Sequence, residues 1–196
     1  MRSVGVVAIV CGGLLAGCGS PPAPLPTGPT GTSPTPSLGI AVANAAFSTV
    51  VPSGWTDALS DPAQVRKFSA TGEVEYLAEQ QPPGAVNAGV NDVVANINVV
   101  LLATPVPDDQ VLLFLGSLST ADASNISAPK PFTIGGSTGQ YITYDREIAG
   151  TPGESREMVV NHGGSTFDIV LTTSQYAFQG QLPALQDVLT AWRWLS

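Results

Sequence analysis

Charged residues are scarce in this sequence. They make up 11% of the 196 residues, against roughly 25% in an average soluble protein. None lies between Arg2 and Asp57, and the 7 basic residues form no cluster among the 15 acidic ones. The net charge of −8 argues against binding to nucleic acid or to anionic lipid, because both need several Lys or Arg on one surface.

Cysteine and histidine are also few. The chain has two cysteines, and Cys11 lies in an N-terminal stretch that we expect to be removed, so the mature chain can form no internal disulfide. His162 is the only histidine, which excludes the usual zinc sites. The sequence has no phosphate-binding lysine motif and no dinucleotide-binding glycine pattern. We therefore expect neither a metal nor a cofactor.

The N-terminus has the pattern of a lipoprotein signal peptide. Arg2 precedes 13 apolar and small residues at 4–16, fewer than the about 20 that a membrane-spanning helix needs. Leu15-Ala16-Gly17-Cys18 resembles the bacterial lipobox, which predicts cleavage before Cys18 and acylation of its thiol. An ordinary secretory signal with an incidental cysteine is the alternative. Two acyl chains on Cys18 would anchor the protein at the extracytoplasmic face of the cell membrane, in the cell envelope.

A proline-rich tether follows the lipobox. Residues 19–37 contain seven Pro and four Thr, a composition that predicts a semi-rigid spacer reaching roughly 60 Å at about 3.1 Å per residue. Two alternatives stay open: a tether whose Ser and Thr carry sugars, and a tether without sugars. The expected organisation is a signal peptide at 1–17, the lipidated cysteine and linker at 18–37, and a folded domain at 38–196 that is long enough to bury a core.

Strands dominate the predicted domain. Residues 156–162 and 165–173 form a hairpin around Gly163-Gly164, a pair suited to a type I′ turn. Its register pairs Val160 with Phe167 and leaves a mixed second face, with Asp168, that we expect to be partly buried. Residues 140–148, a turn at 149–153 and this hairpin make a three-stranded meander. Further strands are predicted at 47–51, 74–78, 95–103 and 132–134.

Helices are fewer, at 108–119 and 181–192, with a weaker one at 61–69. The first starts with Asp108 and Asp109 and places apolar residues on one stripe, and the second has Pro183 in its first turn. Antiparallel strands with helices between and after them predict an α+β sandwich. The apolar stripe of the first helix consists of Val111, Leu112, Leu115 and Leu118, and that of the second of Leu182, Leu185, Leu189 and Trp192.

These features together resemble a known family. The lipobox, the Thr/Pro-rich spacer, the strand entering Pro52-Ser53-Gly54-Trp55, the glycine-rich entry into the meander and the C-terminal amphipathic helix are similar to those of LpqN/LpqT-type lipoproteins of mycobacteria. The resemblance implies a PsbP-like, or Mog-like, α/β/α sandwich with an antiparallel sheet flanked by helices. It also implies binding to protein partners, in envelope lipid traffic or in contact with host proteins.

The one motif that suggests catalysis stands in the wrong context. Residues 135–139 match the G-x-S-x-G pattern of serine hydrolases, but a nucleophile elbow needs a strand, a sharp turn and then a helix. Ser137 is followed by an alternating, strand-like segment, and His162 lies beside a glycine turn. We expect no catalytic residue, an exposed turn histidine, and solvated edges for the pairs Asp145/Glu147 and Glu154/Glu157.

Three functional hypotheses follow from the sequence. The leading one is a non-enzymatic envelope lipoprotein that binds a protein partner, with Trp55, Trp192 and Trp194 as residues of the core or of a binding surface. The second is a carrier of a lipid or other apolar ligand in a cleft between sheet and helices. The third, least favoured, is a serine esterase using Ser137 and His162. The side chains expected to line such a cleft are Val160, Ile169, Leu185 and Leu189.

Overall fold

The computed structural model describes residues 39–80, 93–118 and 123–195. Cys18, the signal peptide and the tether lie outside these ranges, so the expectations for them stay predictions. None of the helices within these ranges is both long enough and apolar enough to cross a membrane.

Eleven strands and three α-helices are present in the described residues. A 3-10 turn at Asp108–Gln110 precedes the second helix. The strands are β1 (Ile40–Ala43), β2 (Phe47–Val51), β3 (Thr56–Asp57), β4 (Gly72–Gln80), β5 (Ala95–Leu102), β6 (Ala123–Ser124), β7 (Lys130–Ile134), β8 (Ser137–Ile148), β9 (Thr151–His162), β10 (Ser165–Ser174) and β11 (Arg193–Trp194). The helices are α1 (Pro62–Val65), α2 (Val111–Leu118) and α3 (Phe178–Ala191).

The strands form two antiparallel sheets. The larger has the order β3-β4-β5-β10-β9-β8-β6, and β7 also pairs with β8. The smaller has the order β1-β2-β11. The predicted α+β class and the meander of β8, β9 and β10 are confirmed. The short strands β1, β3, β6 and β11 have too few residues for a period to be recognised in the sequence.

Tight turns set the register of the meander. Gly163 and Gly164 have φ of 59° and 82°, the positive values that a type I′ turn requires. Val160 pairs with Phe167, as the two-residue loop predicts. The turn between β8 and β9 is shorter than the predicted 149–153, because Ala149 and Gly150 make it alone and Thr151 already belongs to β9.

The main core lies on the first face of the large sheet. Ile169, Val160 and Ile97 are completely buried there, at the centre of the three inner strands. The helix α3 covers them with Leu185 and Val188, which are 1% and 0% exposed. Burial of these side chains stabilises the fold, since hydrophobic stabilisation scales with the apolar area removed from water.

The helix α3 differs from its prediction at both ends. It begins at Phe178, because this fully buried ring holds the first turn against the core. Pro183 therefore lies inside the helix and not in its first turn. At the other end Trp192 leaves the helix with extended backbone, which lets β11 pair with β2.

The second face of the large sheet is more buried than expected. The helix α2 packs Val111 and Leu115 on it, and Phe68 from the loop after α1 covers a neighbouring area. Thr166 is fully buried and Asp168 is 7% exposed, where the mixed composition of this face had predicted partial exposure. Alternation along a strand predicts which residues share a face, but the burial depends on what the rest of the chain places over it.

Polar side chains form buried pairs on this second face. The hydroxyl of Tyr144 donates to Glu157 Oε2 at 2.9 Å, and the hydroxyls of Ser155 and Thr172 are 3.0 Å apart. Glu157 is 4% exposed, which corrects the prediction of a solvated edge: β9 has a partner strand on either side. Glu154 is three residues away and so faces the opposite side of the sheet.

Two carboxyl groups on this face are buried in an environment that disfavours their ionised forms. Burial raises the pKa of Asp168 well above its usual range, and the nearby charge of Glu157 raises it further. Burial also raises the pKa of Glu157, against the opposing effects of the Tyr144 hydrogen bond and the Arg146 charge. The ionised form of Asp168 is thus unfavourable in the folded chain, where Oδ1 has no hydrogen-bond partner among the described residues.

Stability is expected to fall as pH rises above the ordinary pKa of an aspartate. Between that value and the raised pKa of Asp168, the folded chain holds more protons than the unfolded chain, so the free energy of unfolding decreases with pH. Asp168→Asn removes this penalty. The variant should melt a few degrees above the unmodified chain at pH 7, since 1 kcal/mol shifts Tm by about 2–4 °C in a domain of this size.

The advantage of Asp168→Asn should shrink as the pH falls towards 4, because the carboxyl group of Asp168 is neutral in the folded chain and becomes increasingly protonated in the unfolded chain near its ordinary pKa. Thermal melts followed by circular dichroism from pH 4 to pH 8 provide the measurement. Asp109→Asn is the matched control, because Asp109 is exposed. An equal Tm for Asp168→Asn and the unmodified chain across this range would contradict the assignment.

Candidate functional site

The meander brings the serine and the histidine of the sequence analysis together. The register of β8 with β9 ends at the pair of Gly139 with Val160, and two residues beyond that pair on each strand lie Ser137 and His162. Ser137 Oγ lies 2.9 Å from His162 Nδ1. His162 is therefore half-buried and not an exposed turn residue. The signal was present in the sequence, since extending the predicted strand at 140–148 by three residues gives this contact.

Trp194 fixes the position of the histidine ring. The two rings are stacked, with centroids 4.1 Å apart and planes 5° from parallel. The indole Nε1 donates to the carbonyl of Ile134 at 3.2 Å, so the tryptophan is itself tied to β7. Gly135 makes room for it, because a Cβ at this residue would lie 2.7 Å from the indole and its φ is +53°. The first glycine of the G-x-S-x-G match thus leaves space for the Trp194 ring.

The hydroxyl and imidazole have the composition of a minimal nucleophile and base. A histidine nitrogen that accepts from a serine hydroxyl can take its proton when the oxygen attacks an acyl group. Ser137, however, begins the long strand β8 directly after a two-residue turn. The sequence predicted a strand after this motif, but with its start at residue 140. The strand-turn-helix geometry of a nucleophile elbow is absent at this position. In the described part of the chain, no group of three or more His, Cys, Asp and Glu could hold a metal ion.

Two of the three tryptophans are core residues. Trp192 is fully buried and stacks on Phe47, with centroids 3.8 Å apart. Trp55 is 8% exposed and belongs to the same cluster. Neither forms the binding edge that Trp192-Arg193-Trp194 suggested, since β11 folds back beside β2. Trp194 alone of the three is half-buried.

The cleft expected for an apolar ligand is occupied by protein. Val160, Ile169 and Leu185 are at most 1% exposed and pack in one cluster, with Leu189 against it. Five surface cavities of the described residues are lined by other side chains. An internal ligand between these four side chains would have to displace the core.

An exposed apolar surface lies instead on α2. Leu112 and Leu113 are 53% and 74% exposed, although Leu112 was predicted on the buried stripe with Val111. The side chain of Leu118 lies outside the described part. Beside Leu113, a groove of about 460 Å³ is lined by Phe114 and Pro105, among others. We call Leu112, Leu113, Phe114 and Pro105 the α2 surface.

Hydrogen bonds hold the chain leading into α2 against the large sheet. The amide of Asn161 donates to the carbonyl of Val106 at 2.8 Å and to the carboxylate of Asp108 at 2.6 Å. The backbone N–H of Val106 donates to Thr166 Oγ1 at 2.8 Å. The α2 surface is therefore presented on a fixed support. The sequence carried a signal for it, because 111–115 is apolar throughout and a single stripe cannot bury five consecutive residues.

Comparison with known proteins identifies the fold. No family model and no curated protein matches this chain. Its structure is similar to that of LpqN, described as involved in cell envelope biogenesis of Mycobacterium tuberculosis, with 16% identity and a TM-score of 0.57 over 80% of this chain and 90% of that one. It is also similar to cyanobacterial PsbP (CyanoP) from Synechocystis sp. PCC 6803, with 13% identity and a TM-score of 0.52 over 87% and 99%.

Identities this low support a shared fold and nothing finer. The implied PsbP-like sandwich is consistent with the helices on both faces of the large sheet, α3 on the first and α2 on the second. The chain has an LpqN- and PsbP-like α+β fold.

Proposed function

We propose that this chain is a lipid-anchored, non-enzymatic protein of the bacterial cell envelope whose domain binds a partner protein through the α2 surface. The exposure of Leu112 and Leu113 on a helix whose entry is firmly held is the observation that carries the proposal. Exposed leucines gain free energy when a complementary surface removes them from water, and contiguous exposed apolar side chains are typical of interaction sites.

The charge around the α2 surface favours a protein as the occupant. Asp108 and Asp109 are exposed at the start of the helix. Loss of Arg2 with the signal peptide would change the net charge of the chain from −8 to −9. An acidic domain is repelled by anionic lipid, so the expected partner has an apolar centre and a basic rim.

The envelope location rests on the N-terminus and on the likeness to LpqN. The lipobox at Cys18 provides the anchor, and the tether at 19–37 lets the domain reach partners at a distance from the membrane. LpqN, which shares the fold, is described as involved in cell envelope biogenesis. The partner is accordingly an envelope or host protein.

A photo-reactive residue at the α2 surface should identify its occupant. With p-benzoylphenylalanine in place of Leu113, irradiation of intact envelopes should give an adduct of this chain with a different protein. Gln186, exposed on α3, is the matched control position and should give no such adduct. Asp109→Lys should lower the yield several-fold, because it reverses a charge that attracts a basic rim.

Other adducts would contradict the proposal. A dimer of this chain would make the α2 surface a self-association site, and a lipid adduct would make it a membrane contact. Equal yields from positions 113 and 186 would show that the cross-linking is unspecific. Mass spectrometry of the excised bands distinguishes these outcomes.

Anchoring is expected to depend on Cys18. Cys18→Ser removes the thiol that accepts the diacylglyceryl group, so the chain should lose its acyl chains and remain uncut. Intact-mass spectrometry of the membrane fraction measures both effects. Cys11→Ser is the matched control and should leave processing unchanged, whereas cleavage of Cys18→Ser at a site further along the chain would support the ordinary secretory signal.

A second candidate function, ester hydrolysis, is favoured only by the 2.9 Å contact of Ser137 with His162. For a non-enzymatic protein, Ser137→Ala should leave the hydrolysis of p-nitrophenyl butyrate at the background rate of the unmodified chain. Thr138→Ala, one residue along β8, is the control. A loss of about 100-fold or more in Ser137→Ala alone would establish the serine as a nucleophile, as expected for removal of such a group.

A further inference from the structure

A cavity of about 340 Å³ lies on the second face of the large sheet, beside the turn between β8 and β9. Asn96 and Thr172, which pair across β5 and β10, form part of its floor. Arg146 and Ile148 reach it from alternate positions of β8. The cavity shares no lining residue with the groove at the α2 surface.

Two basic residues line this cavity in an otherwise acidic domain. Only six basic residues remain in the chain once Arg2 is removed, and Lys67 and Arg146 are two of them. The Nε atom of Arg146 is buried and has no hydrogen-bond acceptor among the described residues. Buried polar groups are nearly always hydrogen-bonded, so the guanidinium of Arg146 is incompletely satisfied by the described chain.

The remaining walls of the cavity are mostly apolar. Phe68, Val94 and Ile148 contribute hydrocarbon surface from three different segments of the chain. Glu79 is the one acidic residue of the described lining, and burial raises its pKa, with the charge of Lys67 acting in the opposite direction. The lining thus combines positive groups with surfaces that favour a hydrocarbon chain.

We propose that this cavity binds an amphipathic carboxylic acid, with its carboxylate on Arg146 and its hydrocarbon chain against Phe68 and Ile148. A guanidinium group presents two parallel N–H donors, which match the two oxygens of a carboxylate. The volume is at the lower end of the range of about 300–1,000 Å³ for ligand pockets, so a single medium-length chain fits better than a diacyl lipid. This ligand site is independent of the partner-binding function.

Decanoate is a suitable probe for this site. The residues of the core lie between Phe47 and Trp192, so a soluble chain that begins at Gly19 retains the whole folded part. Isothermal titration of this chain should show one site for decanoate. Decan-1-ol, which lacks the charge, should bind about tenfold more weakly or worse, and acetate, which lacks the chain, should not compete at the same concentration.

Arg146→Gln should lower the affinity for decanoate about tenfold, because it removes a charge-assisted hydrogen bond. Lys130→Gln is the matched control: it makes the same charge change on the exposed strand β7 and should alter the affinity less than twofold. Thermal melts establish that both variants are folded. Equal affinities in the two variants would overturn the role of Arg146.

Chemical shifts in the unmodified chain test the location without any variant. Decanoate should shift the side-chain amide signal of Asn96 and leave the indole N–H of Trp194 unchanged, because Trp194 packs on the first face with Phe167. Equal binding of decan-1-ol and decanoate would overturn the anion site. Equal competition by acetate would reduce it to a site for small anions and overturn the amphipathic ligand.

Discussion

The pairing of β9 with β8 on one side and with β10 on the other determines which side chains enter the main core and which enter the opposite face of the large sheet. A slip of one residue in either pair would exchange the two faces of the strand. In the observed register Val160 enters the main core, Glu157 enters the polar row on the opposite face, and Ser137 meets His162. Two-residue turns on both sides of β9 hold this register, so it depends on a few positive φ values.

The two faces of the large sheet have different physical roles. The first is apolar, and α3 and the small sheet pack on it, so its described side chains form a core that contributes stability. Among the described residues, α2 and the segment around Phe68 cover the second face, which contains ionisable groups whose burial costs free energy. Ionisable groups with strongly perturbed pKa values cluster at functional sites. Both the α2 surface and the Arg146 cavity belong to this second side of the molecule.

Sequence reasoning succeeded where the determining interactions are local. The hairpin around Gly163-Gly164 and its pairing of Val160 with Phe167 follow from turn geometry and alternation alone. The stack of Trp192 on Phe47 joins residues far apart in the chain, and no periodicity encodes it. The burial of Glu157 was missed for a related reason: alternation gives the face of a strand but not the cover over that face. The early start of α3 likewise depends on a tertiary contact of Phe178.

The small sheet also determines how the domain bears tension. β1 is the first described strand after the tether, and within the described ranges it pairs only with β2, through four residue pairs. Hydrogen bonds at the end of a chain open at the lowest cost in free energy. Pulling on the N-terminal side therefore peels β1 away first, while β2 remains held by β11 and α3. Detachment of β1 would lengthen the extended chain between the anchor and the domain under tension, and the eight-stranded sheet would stay intact.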